Sequence, residues 1–240
     1  MPIFRIGDTL HYYAHVPKCG GSSVEAYLKT RFGPLAFLNT RYLDLPDHAR
    51  WTRSSPQHAA FDDLTRLIPA DWIASSFAVV RHPVKRLISA FQFQVEVEGT
   101  VAALWSIDEF FDDWLNRAGQ EPFHYDNHLR PQSDIVPERA AIFRLEDGMA
   151  PLVAHLDSLA GNTDGPRAIP KENVRKKGMA PDAERLNPSP ETLARIASYY
   201  AADFRRFGYS PDDTTQPAVQ PAAPKGLMGR LAGALSGGRT

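Results

Sequence analysis

Cysteine is almost absent from this chain. Cys19 is the one thiol among 240 residues, which excludes an internal disulfide framework and makes a reducing compartment, the cytoplasm, the expected location. No stretch approaches the roughly 18 uncharged apolar residues that a membrane span needs. The opening Met1-Pro2-Ile3-Phe4-Arg5 lacks a basic flank followed by an apolar run, so no secretory signal is expected. A charge excess is missing as well. The 27 basic and 28 acidic residues leave a net charge of −1. A generic nucleic-acid binder is clearly basic, so no nucleic-acid partner is expected. Apolar residues make up 43% of the chain, enough for an ordinary buried core and against global disorder.

Strand and helix patterns alternate along the chain. Residues 10–16 are rich in aromatic and β-branched types and read as a strand, followed by a turn over 17–21. Ser22 or Ser23 is placed to cap the next helix, where Val24, Tyr27, Leu28 and Phe32 recur near helical spacing. Residues 33–57 read as irregular, with a short helix over 61–68. The apolar run 76–80 fits a buried parallel strand. After Arg81-His82-Pro83, residues Val84, Leu87, Ile88, Phe91 and Val95 follow the pattern of a core-facing helix, leaving Lys85, Arg86, Ser89 and Gln92 on the other side. A helix over 107–117, a strand over 140–145 and a helix over 148–160 come next. Residues 161–188 form a long polar loop with many glycines and prolines. The last helix is capped by Ser189, begins at Pro190, aligns Leu193, Ile196, Tyr200, Phe204 and Phe207, and stops at Gly208. This order predicts one α/β domain over residues 1–210, a parallel sheet flanked by helices. Pro, Ala, Gln, Thr and Gly dominate residues 211–240, which are expected to form a disordered tail.

In such sheets ligands bind at the carboxyl ends of strands, where both unusual turns lie. Pro17-Lys18-Cys19-Gly20-Gly21-Ser22-Ser23 offers a flexible backbone, a lysine charge, two hydroxyls and the N-terminus of a helix, the parts of an anion cradle. A plain glycine turn with a solvated lysine is the other reading. A nucleotide-triphosphatase loop is excluded, because it places Lys directly before Ser or Thr, and here Gly21 precedes Ser22. A cysteine phosphatase would carry Arg six residues after its nucleophile, where Glu25 stands, so a nucleophilic Cys19 is disfavoured. Arg81 ends the second strand, and Ser89 lies two turns into the helix that follows. A guanidinium fork and a hydroxyl so placed suit phosphate oxygens.

Two segments together point to one family. His15-Val16-Pro17-Lys18-Cys19-Gly20-Gly21-Ser22-Ser23 resembles the opening H-I-P-K-T-G-G-T-S motif of sulfotransferase family 2. Arg81-His82-Pro83-Val84-Lys85-Arg86-Leu87-Ile88-Ser89-Ala90-Phe91 resembles its R-x-P-x-x-R-x-x-S-x-[FY] motif. His128-Leu129-Arg130-Pro131-Gln132-Ser133, Phe143-Arg144-Leu145-Glu146 and the ending Tyr199 to Tyr209 are similar to the same family, so the resemblance spans about residues 10–209. It implies a P-loop-NTPase-like sulfotransferase fold and the donor 3′-phosphoadenosine 5′-phosphosulfate (PAPS). Lys18, Cys19, Gly20, Gly21, Ser22 and Ser23 inherit the 5′-phosphosulfate, and Arg81 and Ser89 the 3′-phosphate. Cys19 stands where Thr is commoner, which weakens any side-chain contact there but spares a backbone one.

Transfer to a hydroxyl needs a base, and eight histidines are available. His58, in Ser54-Ser55-Pro56-Gln57-His58-Ala59-Ala60-Phe61, resembles the segment that supplies the base in glycan 2-O-sulfotransferases. His128 is the second candidate, while His15 and His82 read as structural. His128, Arg130 and Gln132 form a polar cluster read either as acceptor contacts or as a capped loop. No metal is expected, since no acidic ligand cluster stands out. Arg167, Lys171, Arg175, Lys176, Lys177 and Arg185 make the long loop basic, either to grip nucleotide or glycan or simply to be solvated. In the tail, Leu227, Met228, Leu231 and Leu235 with Lys225 and Arg230 form a weak amphipathic pattern, a marginal candidate for membrane-surface contact. The expected activity is sulfuryl transfer to a carbohydrate or glycan-type hydroxyl. A non-catalytic nucleotide- or glycan-binding module on the same fold is the alternative.

Overall fold

A computed structural model of the chain describes residues 1–170 and 183–212. Its sheet has four strands in the order β1 (Ile3–Ile6), β2 (Thr9–Ala14), β3 (Ile73–Val80) and β4 (Ala141–Arg144). The pairs β2–β3 and β3–β4 are parallel, with Ala14 beside Ala78 and Val80 beside Arg144. The three strands foreseen from sequence are therefore present. β1 was not foreseen; it pairs antiparallel with β2 across the turn at Gly7-Asp8, where Gly7 adopts φ 57°. Residues 77–80 of β3 are buried without interruption, as the central strand of a covered sheet requires.

Helices follow each parallel strand. Among the described residues they are α1 (Gly21–Phe32), α2 (Phe61–Thr65), α3 (Pro83–Phe93), α4 (Ile107–Arg117), α5 (Gln132–Ile135), α6 (Ala150–Ala160), α7 (Pro190–Tyr199) and α8 (Ala201–Phe207). One core packs Val24, Tyr27 and Leu28 of α1 and Leu152, Val153 and Leu156 of α6 against the sheet. A second joins α3, α4, α7 and α8 through Leu87, Phe91, Phe110, Trp114, Ile196 and Phe204. α4 begins where its sequence says it should. Ser106 accepts from the Glu109 N–H, and Glu109 accepts from the Ser106 N–H, a reciprocal cap.

Four local expectations need correction. Neither Ser22 nor Ser23 caps α1; both sit inside its first turn, and the cap is Gly20 in a left-handed conformation at φ 81°. Val95 lies beyond α3, in a π-helical turn over Gln94–Glu98. The last helix is broken at Tyr200 (φ −97°, ψ 23°), whose buried hydroxyl donates to the Leu129 carbonyl at 2.7 Å. Leu193, upstream of the break, stays exposed. Arg86 does not face solvent. It is 2% exposed, and its guanidinium donates from Nε to the Pro17 carbonyl (3.0 Å) and from Nη2 to the His128 carbonyl (2.9 Å).

The tail from residue 213 onward, with its amphipathic pattern, lies outside the described residues, as do Lys171, Arg175, Lys176 and Lys177 of the basic loop.

Arg86 is expected to matter for stability because two buried carbonyls depend on it. Charge-assisted hydrogen bonds contribute roughly 1.5–3 kcal/mol each. Arg86→Met keeps the stem and removes both bonds, and is expected to lower unfolding free energy by about 3 kcal/mol. A urea titration reads this as a lower midpoint at unchanged slope; an unshifted midpoint would show that the carbonyls find other donors.

Candidate active site

The ends of β2 and β3 and the start of α1 open onto a cleft of about 1340 Å³. Lys18, Gly20, Gly21, Ser22 and Ser23 form one part of its wall, and Arg81 and Ser89 another. First-turn N–H groups of a helix have no acceptor within the helix, and here that turn, Gly21 to Ser23, faces the cleft wall. Lys18 takes a left-handed φ of 67°, and its ammonium lies 3.7 Å from the centroid of the Phe93 ring. The Arg81 guanidinium donates to the Lys18 carbonyl at 3.3 Å, so the two turns touch. The glycines have a packing reason of their own. A Cβ on Gly21 would fall 1.8 Å from His15 Nε2, and Gly20 needs its positive φ.

Histidines line the far side of Phe93. The ring contacts run from Phe93 to His128 (5.0 Å), from His128 to His58 (5.1 Å), and from His58 to His15 (5.0 Å). Each histidine has a different partner. His15 is buried and its Nδ1 lies 2.6 Å from Glu25 Oε1. Burial lowers the His15 pKa in spite of that carboxylate. Glu25 itself is held below the usual range: burial pushes it up, but the His15 hydrogen bond and nearby charges outweigh this. His128 is buried too, and burial, with the charges of His58 and Lys18, drives its pKa well down. Thr100 donates to Gln94 Oε1 (2.5 Å), which turns the Gln94 amide N–H toward His128 Nδ1 at 3.2 Å. A neutral His128 then carries its proton on Nε2 and faces its surroundings as a donor, a poor arrangement for a base.

His58 differs. All three histidines line the cleft, but the His58 side chain is 12% exposed and its Nδ1 lies 2.7 Å from Asp126 Oδ2. Burial works against the Asp126 charge, but the charge and hydrogen bond of His58, then His128 and the Ser55 N–H, hold the carboxyl down at about 2. An ionised carboxylate only accepts, so in the neutral form of His58 the proton sits on Nδ1 and Nε2 carries the lone pair. Sequence reading missed Asp126. It also missed the backbone that delivers it: Tyr125, Asp126 and Asn127 are all left-handed, at φ 58°, 51° and 62°. For L-residues each costs roughly 1–2 kcal/mol.

Other expected residues fall elsewhere. Cys19 is fully buried and is not among the residues lining the cleft. Its Sγ approaches the Pro17 carbonyl (3.6 Å) and Gln132 Oε1 (3.5 Å), so any contact to a ligand would come from its backbone. Burial, against the pull of Arg86 and Arg81, pushes the thiol up to about 12, which suits no nucleophile. Gln132, expected among the acceptor contacts, is fully buried and does not line the cleft: it accepts from the Arg81 N–H (2.9 Å) and donates to the Arg81 carbonyl (2.9 Å). Arg130 does not line the cleft and lies 3.9 Å from Asp134. His82 caps α3 through its Nδ1, a structural role as read. In the long loop, Arg167 pairs with Asp157 (2.6 Å) and Arg185 donates to the Leu104 carbonyl; neither lines the cleft.

Among the described residues, His58, Asp126 and His128 are also a trio able to hold a metal ion, with ligand atoms within 4.8 Å of one another. In the structure the Nδ1 atoms of both histidines are engaged, by Asp126 and by Gln94.

No curated protein and no solved structure gives a significant match to the chain. A family match does exist, and it covers the whole arrangement just described, from β1 through α8. Residues 4–210 match the model of the sulfotransferase family, and the chain belongs to that family.

Proposed function

We propose that the chain transfers a sulfuryl group from 3′-phosphoadenosine 5′-phosphosulfate to a hydroxyl of a carbohydrate or glycan-type acceptor, in the cytoplasm. The observation that carries this reading is a single cleft lined by the Lys18–Ser23 turn, by Arg81 and Ser89, and by a histidine oriented as a base. When bound, the donor supplies the sulfuryl group and a phosphate leaving group. The residues present fit it: two cations and a helix N-terminus meet in one wall, the donor set that phosphate and sulfate oxygens need.

The chain's own groups divide the work. Lys18 brings a full positive charge to the 5′-phosphosulfate, together with the N–H groups and hydroxyls of the first turn of α1. Arg81 and Ser89 receive the 3′-phosphate. His58 takes the acceptor hydroxyl proton on Nε2. Transfer of this kind depends on positioning and on charge placed where charge develops. Phe93, Phe123 and Tyr125 line the cleft alongside Asp44, Arg53 and Glu98. Aromatic faces with hydrogen-bonding groups between them suit the C–H faces and hydroxyls of a sugar.

Donor binding tests the nucleotide assignment. Arg81→Ala and Ser89→Ala are expected to weaken 3′,5′-bisphosphoadenosine by tenfold or more for Arg81, since a charge-assisted contact contributes roughly 1.5–3 kcal/mol. A nucleotide lacking the 3′-phosphate should lose little. Equal losses for both ligands in calorimetry would move the 3′-phosphate elsewhere.

Turnover tests the two ends of the transfer. With radiolabelled donor and a mixed glycan extract, His58→Ala is expected to keep donor affinity and slow transfer by roughly 10²–10⁴-fold, the usual worth of general acid–base catalysis. Lys18→Ala should damage both, because its charge acts on the bound donor as well as in the transition state. Near wild-type turnover in His58→Ala would leave the base to another group.

A further inference from the structure

We propose that Asp126 is a positioning residue for His58, presented by a left-handed turn whose side chains grip the His58 segment from both sides. This rests on the reading of His58 as the base. Three observations converge on it. Asp126 accepts two hydrogen bonds from that segment, one per oxygen: Oδ1 from the Ser55 N–H at 2.6 Å and Oδ2 from His58 Nδ1 at 2.7 Å. Asn127, its neighbour, donates from Nδ2 to the His58 carbonyl at 3.1 Å, so side chain and backbone of His58 are held by consecutive residues. Tyr125 anchors the other end of the turn, its hydroxyl donating to Asp113 of α4 at 2.8 Å.

Left-handed backbone at three successive non-glycine residues is rare, and such strain persists only where the surroundings over-determine it. Here each residue of the turn has a side-chain bond that does so. The other ring neighbours of His58 are already held. His15 is bonded to Glu25, and His128 to Gln94. Among the described residues Asp126 is thus the carboxylate that sets the His58 tautomer. An orienting carboxylate of this kind fixes which ring nitrogen is free to take a proton.

Asp126→Asn isolates that role. Asparagine adopts left-handed backbone readily, so the turn is kept. Asp126 accepts the Ser55 and His58 bonds on different oxygens, and an amide in the same placement offers an acceptor at only one of the two positions. With its oxygen on the obligate donor Ser55 N–H, its NH₂ faces His58 Nδ1 and drives the ring to the Nε2–H tautomer. Nitrogen-15 spectra of histidine-labelled protein at mildly alkaline pH read this directly. The expected result is an Nδ1–H tautomer for His58 in the wild type and Nε2–H in Asp126→Asn. Transfer should slow by roughly 10²–10⁴-fold, the span of base catalysis, with 3′,5′-bisphosphoadenosine affinity unchanged. A merely structural Asp126 would change stability and leave the tautomer alone. An Nε2–H tautomer in the wild type overturns the proposal without any variant, and so does an unswitched tautomer in folded Asp126→Asn. A switched tautomer beside a fully active His58→Ala supports the positioning and instead overturns His58 as the base.

Discussion

The buried guanidinium of Arg86 is the tie on which the site depends. It joins the Pro17 carbonyl, which starts the donor turn after β2, to the His128 carbonyl, which belongs to the segment facing the histidines. Nothing in the local backbone of either segment would keep them together, since 111 residues separate Pro17 from His128. Gln132 adds a second tie. Its amide pairs with both backbone groups of Arg81 and receives the Cys19 thiol, so the turns after β2 and β3 are pinned to α5. Asp203 on α8 in turn accepts from the Gln132 and Ser133 N–H groups at 2.9 and 2.8 Å. Buried polar networks of this kind are effective only when every member is satisfied. Here the members are drawn from strand ends, helix starts and the last helix, which explains how loops at the carboxyl end of the sheet become a rigid frame.

Within that frame two histidine–carboxylate pairs do different work. His15 and Glu25 are both buried, and the ring fills the space that Gly21 leaves by having no side chain. This pair supports the donor turn from below. Both pairs border the cleft, and His58 and Asp126 lie beside the first, with the rings of His15 and His58 meeting edge to face. The proposed donor turn and the proposed base are therefore packed against one another through His15. A displacement of either would be felt at the other, because close-packed interiors transmit strain.

What was legible in the sequence follows from how local each feature is. α4 is bounded by a reciprocal Ser106–Glu109 cap and an amphipathic stripe, and its limits are those the residues suggested. The turns at Lys18 and Arg81 were visible because glycine, proline, charge and hydroxyl stand within a few positions. β1 escaped because it gains its place by pairing with β2 rather than from its own residues. The break at Tyr200 and the inward turn of Gln132 are consequences of partners 71 and 51 residues away, the Leu129 and Arg81 backbones. Asp126 escaped for a sharper reason. Its turn contains no glycine, and although Asp and Asn each tolerate left-handed backbone, Tyr-Asp-Asn does not announce three such residues in succession; the partners that hold them are on α4 and in the segment around His58.

The same contrast explains why the acceptor is harder to read than the donor. The donor wall is made by two contiguous turns, each close behind a parallel strand, so phosphate chemistry is compressed into short motifs. The rest of the lining includes Leu43 and Arg53 in the stretch after α1, Glu96 and Glu98 in the π-helical turn, and Phe123 and Tyr125 beyond α4. None of these is positioned by its neighbours in sequence. A π-turn re-aims side chains relative to the helix before it, and an irregular stretch carries no period from which a face can be read. Anion recognition can be built from backbone N–H groups and one or two cations, whereas selecting one hydroxyl among several on a sugar requires the shape of a whole wall. Under the proposed function, substitutions at that wall would therefore redirect the acceptor while Lys18, Arg81 and Ser89 keep the donor in place.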